Sequence, residues 1–107
     1  MTNYMFLYSG GMGPDDMSEE DRGKEMAAWM AWFGKLGEAV VDGGNPLAAS
    51  KGIDSDGTVS DSPALAGATG YTVVSADSLD AAVALTKDHP HLAAGGQISV
   101  YETFQLM

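Results

Sequence analysis

At 107 residues, with five Lys and Arg against fifteen Asp and Glu, the chain carries a formal charge of −10 and has a pI near 4.1. Arg22, Lys24, Lys35, Lys51 and Lys87 are scattered, so neither a phosphate backbone nor an anionic membrane finds the basic face it needs, and nucleic acid and membrane are not expected as partners. The absence of cysteine excludes disulfides, thiol catalysis and thiolate-ligated metals. The length suits one domain able to bury about two-thirds of its unfolded surface. No basic leader or long apolar run opens the chain, so a cytoplasmic location is the default expectation.

Tyr4-Met-Phe-Leu-Tyr8 is an almost continuous apolar run and predicts a central strand buried on both faces. After Ser9-Gly-Gly-Met-Gly-Pro14, Ser18 predicts a helix N-cap, with Glu19, Glu20 and Asp21 in the positively polarised first turn. The helix is expected from Glu19 to about Val40. Met26, Trp29, Met30, Phe33, Leu36, Gly37 and Val40 would form its core stripe, with Trp32 on the flank. Gly34 and Gly37 each cost about 1 kcal/mol relative to alanine inside a helix, which suggests the close approach of another backbone.

Asp42-Gly-Gly-Asn-Pro46 is a turn, and Leu47 to Ile53 a strand. Asp54-Ser-Asp-Gly57 predicts a hairpin turn and Thr58-Val-Ser60 its return strand. Gly70 to Ala76 is the best β signal in the chain. Asp77 or Ser78 caps a second helix whose stripe is Leu79, Ala82, Val83 and Thr86 and which Pro90 stops. In the last segment Ile98, Val100, Phe104 and Leu106 alternate with polar residues in a long half-buried strand, with Glu102 on its apolar side.

This order closes into an α+β sandwich of the ferredoxin-like kind, an antiparallel sheet with two helices on one face. Helices on one side cannot cover two apolar sheet faces, so a homodimer through the second face is expected.

The first strand, the helix end Leu36-Gly-Glu-Ala-Val-Val-Asp-Gly-Gly-Asn-Pro-Leu47, the segment Gly70–Ala76 with Asp77-Ser-Leu-Asp80, and Pro90-His-Leu-Ala-Ala-Gly-Gly96 with the final strand resemble the YCII-related family, in its branch marked by an Asp-Gly-Pro-Phe motif. The resemblance implies a dimeric α+β barrel. The family is mostly without assigned function; a few members look like small lyases or dehydrochlorinases of ring compounds, and others accompany alternative sigma factors. Here the motif reads Asp61-Ser-Pro-Ala64. The helix histidine that some members pair with an aspartate would fall at about Met26, which cannot transfer a proton.

Three residues are candidates for chemistry. His91 can act as general acid or base, or simply bond a loop carbonyl. Asp61 can orient a histidine, or close an Asx-turn before Pro63. Glu102, if buried, would have a raised pKa suited to proton transfer, and otherwise sits wetted at the sheet end. His89 reads as a helix C-terminal residue facing the helix dipole. His89 and His91 as metal ligands lack carboxylate help, and Pro90 between them argues for a turn; no metal or other cofactor is expected. Gly10, Gly11 and Gly13 lack the Lys-Ser/Thr of a phosphate cradle.

These residues point to a small dimeric binder or enzyme taking a mostly apolar, cyclic metabolite between the first helix and the sheet; as an enzyme it would use cofactor-free proton transfer, with His91 as base and Asp61 or Glu102 as the orienting or second acid–base group. The alternative is a non-catalytic accessory of a regulatory protein, its acidic surface meeting a basic partner. A stable dimer whose pocket has no retained use is the third reading.

Overall fold

The computed structural model describes residues 1–63 and 67–106. Strand β1 (Thr2–Gly10) buries Tyr4, Phe6 and Tyr8 on one face and half-buries Met5 and Leu7 on the other. It pairs antiparallel with β5 (Ala68–Ala76) on one side and β6 (Gly96–Glu102) on the other; β2 (Val40–Asp42) completes the order β2-β5-β1-β6. That is the strand order of the ferredoxin-like split unit, and the expected α+β class stands. The registers Phe6↔Thr72 and Phe6↔Val100 line the even-numbered side chains into one core face. In one chain β1 is therefore buried on a single face rather than two.

Helix α1 (Glu19–Leu36) starts as its sequence dictates: the Ser18 Oγ accepts the Asp21 N–H at 3.1 Å. It ends four residues before Val40, because Gly37, at φ 56°, caps it by donating its N–H to the Phe33 carbonyl, and Val40 opens β2. The buried stripe keeps Trp29, Phe33 and Leu36 of the expected one but is rotated towards Trp32, which was expected on the flank. Trp32 is 3% exposed and packs with those three on the sheet, whereas Met26 and Met30 are 67% and 69% exposed. The apolar residues form two stripes roughly a quarter-turn apart. The helix buries the one with more aromatic area, since two indoles remove far more surface from water than two thioethers. Gly34 meets no other backbone: a Cβ there would touch nothing within 4 Å.

The Asp54–Gly57 turn forms as expected, with Gly57 at φ 90° donating its N–H to the Asp54 carbonyl. Its strands β3 (Gly52–Ile53) and β4 (Val59–Ser60) make a separate two-stranded sheet, so the long strand expected from Leu47 shrinks to two residues. Ala64 of the Asp61–Ala64 motif lies outside the described residues.

Helix α2 (Leu79–Ala84) is capped by Ser78, which accepts the Ala81 N–H at 3.0 Å. It buries Ala82 and leaves Leu79 and Val83 largely exposed, because Ala81 and Leu85 rather than the expected pair flank Ala82 against the core. Trp32 donates its indole N–H to the Leu85 carbonyl and joins the two helices on the same sheet face. Pro90 does not stop α2. The chain leaves that helix earlier, turns at Asp88 with φ 62°, and uses Pro90 as the first residue of a short helix α3 (Pro90–Ala93). Beyond β6 the expected alternation lapses, and Phe104 and Leu106 are exposed.

The molecule measures 44 × 40 × 18 Å, a slab one sheet and one helical layer deep. Among the described residues, no helix is long and apolar enough to cross a membrane.

Candidate functional site

The turn between α2 and α3 delivers both histidines to the core end of β1. A residue before proline is excluded from the helical region, and His89 is accordingly extended at φ −65°, ψ 132°. That conformation makes it the N-cap of α3 and drives its ring inward, where it is fully buried against Trp32, Trp29 and Tyr8, with ring centroids 4.1, 4.7 and 5.1 Å away. It opens a helix rather than closing one, which corrects the dipole role expected from sequence.

Its hydrogen bonds settle its protonation. The His89 Nδ1 accepts the His91 backbone N–H at 3.0 Å, so it carries the lone pair. A neutral imidazole then bears its proton on Nε2, which donates to the Tyr8 hydroxyl oxygen at 3.0 Å. Tyr8 in turn donates to the Thr72 Oγ1 at 2.8 Å, and Thr72 donates to the Gly43 carbonyl at 3.1 Å. Burial first, and then repulsion from His91, lower the His89 pKa from 6.5 to about 4, and burial pushes the Tyr8 phenol up to about 12. Both groups are neutral near pH 7, and His89 has no lone pair left over. It is held in place rather than available to a ligand.

His91 is the opposite case. It is half-buried, and its Nε2 lies 2.8 Å from the Ser9 carbonyl. A carbonyl only accepts, so Nε2 bears a proton; in the neutral ring Nδ1 then holds a lone pair, and no hydrogen-bond partner for Nδ1 is found among the described residues. Glycines make room for this ring. A Cβ on Gly96 would overlap the imidazole, and one on Gly11 would lie 3.2 Å from the His91 Cε1 and 3.2 Å from the Gly96 Cα. Gly10 and Gly11, at φ 65° and 79°, turn the chain out of β1 around it. Of the glycines considered as a phosphate cradle, Gly11 thus borders an imidazole. Two glycine pairs, Gly10-Gly11 and Gly95-Gly96, are visible in the sequence, but their meeting at His91 depends on the pairing of Gly10 with Gly96.

The other two candidates are elsewhere. Asp61 is 97% exposed on the β3–β4 side and pairs with Lys51 at 2.8 Å. Glu102 is exposed at the far end of β6, where it accepts a hydrogen bond from the Tyr4 hydroxyl at 3.2 Å. Burial, and then this carboxylate, hold the Tyr4 phenol above its ordinary value. Six residues of strand, about 20 Å, separate Glu102 from the Gly96 end where His91 sits. No hydrogen bond or ion pair among the described residues joins any two of His91, Asp61 and Glu102.

The space expected as a pocket between α1 and the sheet is filled by Trp29, Trp32, Phe33 and His89. The concavity lies beside it, an open groove of about 380 Å³ between the first half of α1, the loop after β1 and the end of α3, lined by Met12, Met17, Ala28 and Ala94 with Asp21, Lys24 and Glu25. Met12 follows Gly11, where a Cβ would crowd His91, and Ala94 lies three residues beyond His91. Among the described residues, no cluster of three or more His, Asp or Glu side chains is placed to hold a metal ion.

No family model matches the chain, and no curated protein matches it in sequence. Among solved structures it is similar to a 5-chloro-2-hydroxyhydroquinone dehydrochlorinase from Burkholderia phenoliruptrix, captured with 2,5-dihydroxybenzoquinone. The likeness covers 95% of this chain and 93% of that one, with a TM-score of 0.55 and 20% identity. At that identity it is the fold that is shared: an antiparallel α+β architecture.

Proposed function

We propose that the chain is a YCII-related protein that binds a small, mostly apolar ring compound in the groove beside His91 and moves a proton on it without a cofactor, in a lyase- or isomerase-type reaction. One observation carries this reading: an imidazole anchored through Nε2 to a backbone carbonyl, with Nδ1 unbonded, sits between the loop and the short helix that supply Met12 and Ala94 to a groove otherwise lined by Met17, Ala28, Asp21, Lys24 and Glu25. Nδ1 accepts the substrate proton, the Ser9 carbonyl dipole stabilises the imidazolium so formed, and the electron pair left on the ring either expels a leaving group or takes a proton back at another carbon. The solved dehydrochlorinase supports the substrate class through its fold, since its bound ligand is such a ring. Asp61 and Glu102 take no direct part in this proton transfer.

The test is thermal unfolding with and without 2,5-dihydroxybenzoquinone and related hydroquinones. Ligand linkage raises the Tm of the native chain, and His91→Ala, folded as before, loses that rise. Full retention of the shift in the variant removes His91 from the site.

The −10 charge of the chain, with Met26 outward where a helix histidine would stand, favours a second reading, a non-catalytic module that docks a basic partner. Under that reading no ring compound shifts the Tm of the native chain.

A further inference from the structure

We infer that His89 is a positioning residue for His91, capping the turn that carries it, and that the Tyr8–Thr72–Gly43 chain locks the His89 ring in the one tautomer able to do so. The inference rests on His91 as the proposed proton-transfer group, and goes beyond it by naming what holds that group.

A histidine packed among Tyr8, Trp29 and Trp32 invites reading as core filler. Aromatic packing alone would be met by Phe. What Phe lacks is an acceptor 3.0 Å from the His91 N–H, at the first turn of a four-residue helix that has no stability of its own. The other ring nitrogen must then find an acceptor in a fully buried place, and the Tyr8 hydroxyl supplies one because it passes its own proton on to Thr72 and thence to the Gly43 carbonyl. The chain has one direction. Reversing it would set an Nδ1–H against the His91 N–H, two donors face to face. The carbonyl of Gly43, just past β2, therefore sets the proton positions that fix the main chain of His91 on the other side of the sheet centre. With its main chain fixed and Gly11 and Gly96 closing round its ring, His91 keeps its Nε2–H on the Ser9 carbonyl and leaves Nδ1 unbonded.

The test is NMR of the imidazole nitrogens in the ligand-free full chain, reading solvent exchange of the His91 Nε2 proton, so failure of ligand binding and failure of this inference are separate results. His89→Asn keeps a short-reach acceptor for the cap; His89→Gln moves the acceptor away from it. The native chain and His89→Asn are expected to retain a slowly exchanging His91 Nε2 proton, and His89→Gln to exchange it at least about tenfold faster. Native-like exchange in a His89→Gln variant that still melts cooperatively overturns the inference. Should His89→Gln fail to fold, Tyr8→Phe decides, since it removes only the hydroxyl: exchange about tenfold faster supports the tautomer lock, and unchanged exchange in the folded variant overturns it.

Discussion

A neutral imidazole sealed beside two indoles makes the stability of the chain depend on pH in one direction. In the unfolded chain His89 takes up a proton below its usual 6.5, while in the folded chain it resists until about 4. Above 6.5 neither state is charged and the contribution is whole. Between 6.5 and 4 the unfolded state binds the extra proton, so stability falls as pH drops, by about 3 kcal/mol across the window. The fifteen carboxylates act against this trend, because protonating them relieves the repulsion of a −10 chain. The difference between native protein and His89→Asn isolates the histidine. Urea unfolding at pH 7 and pH 4.5 should show the native chain losing more stability than the variant on acidification; equal losses would contradict a buried neutral His89.

At the level of elements, what the sequence revealed was what neighbours along the chain decide. Ser18 and Ser78 cap helices because a hydroxyl and an N–H three residues on are local partners, and Asp54–Gly57 turns because glycine there adopts positive φ. Which stripe of α1 faces inward was not legible, since Met26 and Met30 repeat with the same period as Trp29 and Phe33 and only the sheet's Phe6 and Tyr8 choose between them. Pro90 misled for a related reason: a proline ends one helix and begins another equally well, and only the Asp88 turn before it distinguishes the two. His91 was legible as a candidate, but its glycine cage needed the pairing of Gly10 with Gly96. The rotation of α1 is testable. Trp32→Ala should cost about 3–5 kcal/mol in urea unfolding, whereas Met30→Gln on the exposed face should stay within about 0.5 kcal/mol. Equal costs would contradict the rotation of the helix towards Trp32.

Over the whole molecule, the slab shape has a consequence for assembly. A chain of this length packed into a globule has a radius of gyration of about 13 Å, against the 15.3 Å found here. The sheet face away from the helices carries Met5 and Leu7 beside Val73, Tyr71 and Tyr101, cross-strand neighbours in the registers of β1 with β5 and β6. A second copy laid face to face is the proposed cover. Like charge opposes it, so the dimer should tighten as salt screens the −10 of each chain. Light scattering is expected to give twice the 11.1 kDa chain mass at micromolar concentration, and Leu7→Asp to give the single chain. A native protein at the single-chain mass, in low and high salt alike, would leave that face uncovered. The setting of the His91 ring is made by β1, α3 and β6 of a single chain. The most direct measurement of its role is a titration of isotope-labelled protein with 2,5-dihydroxybenzoquinone, following the ring nitrogens of both histidines. Binding at the site moves the His91 Nδ1 resonance and leaves the two His89 nitrogens in place; a titration that moves His89 alone, or neither ring, contradicts the account.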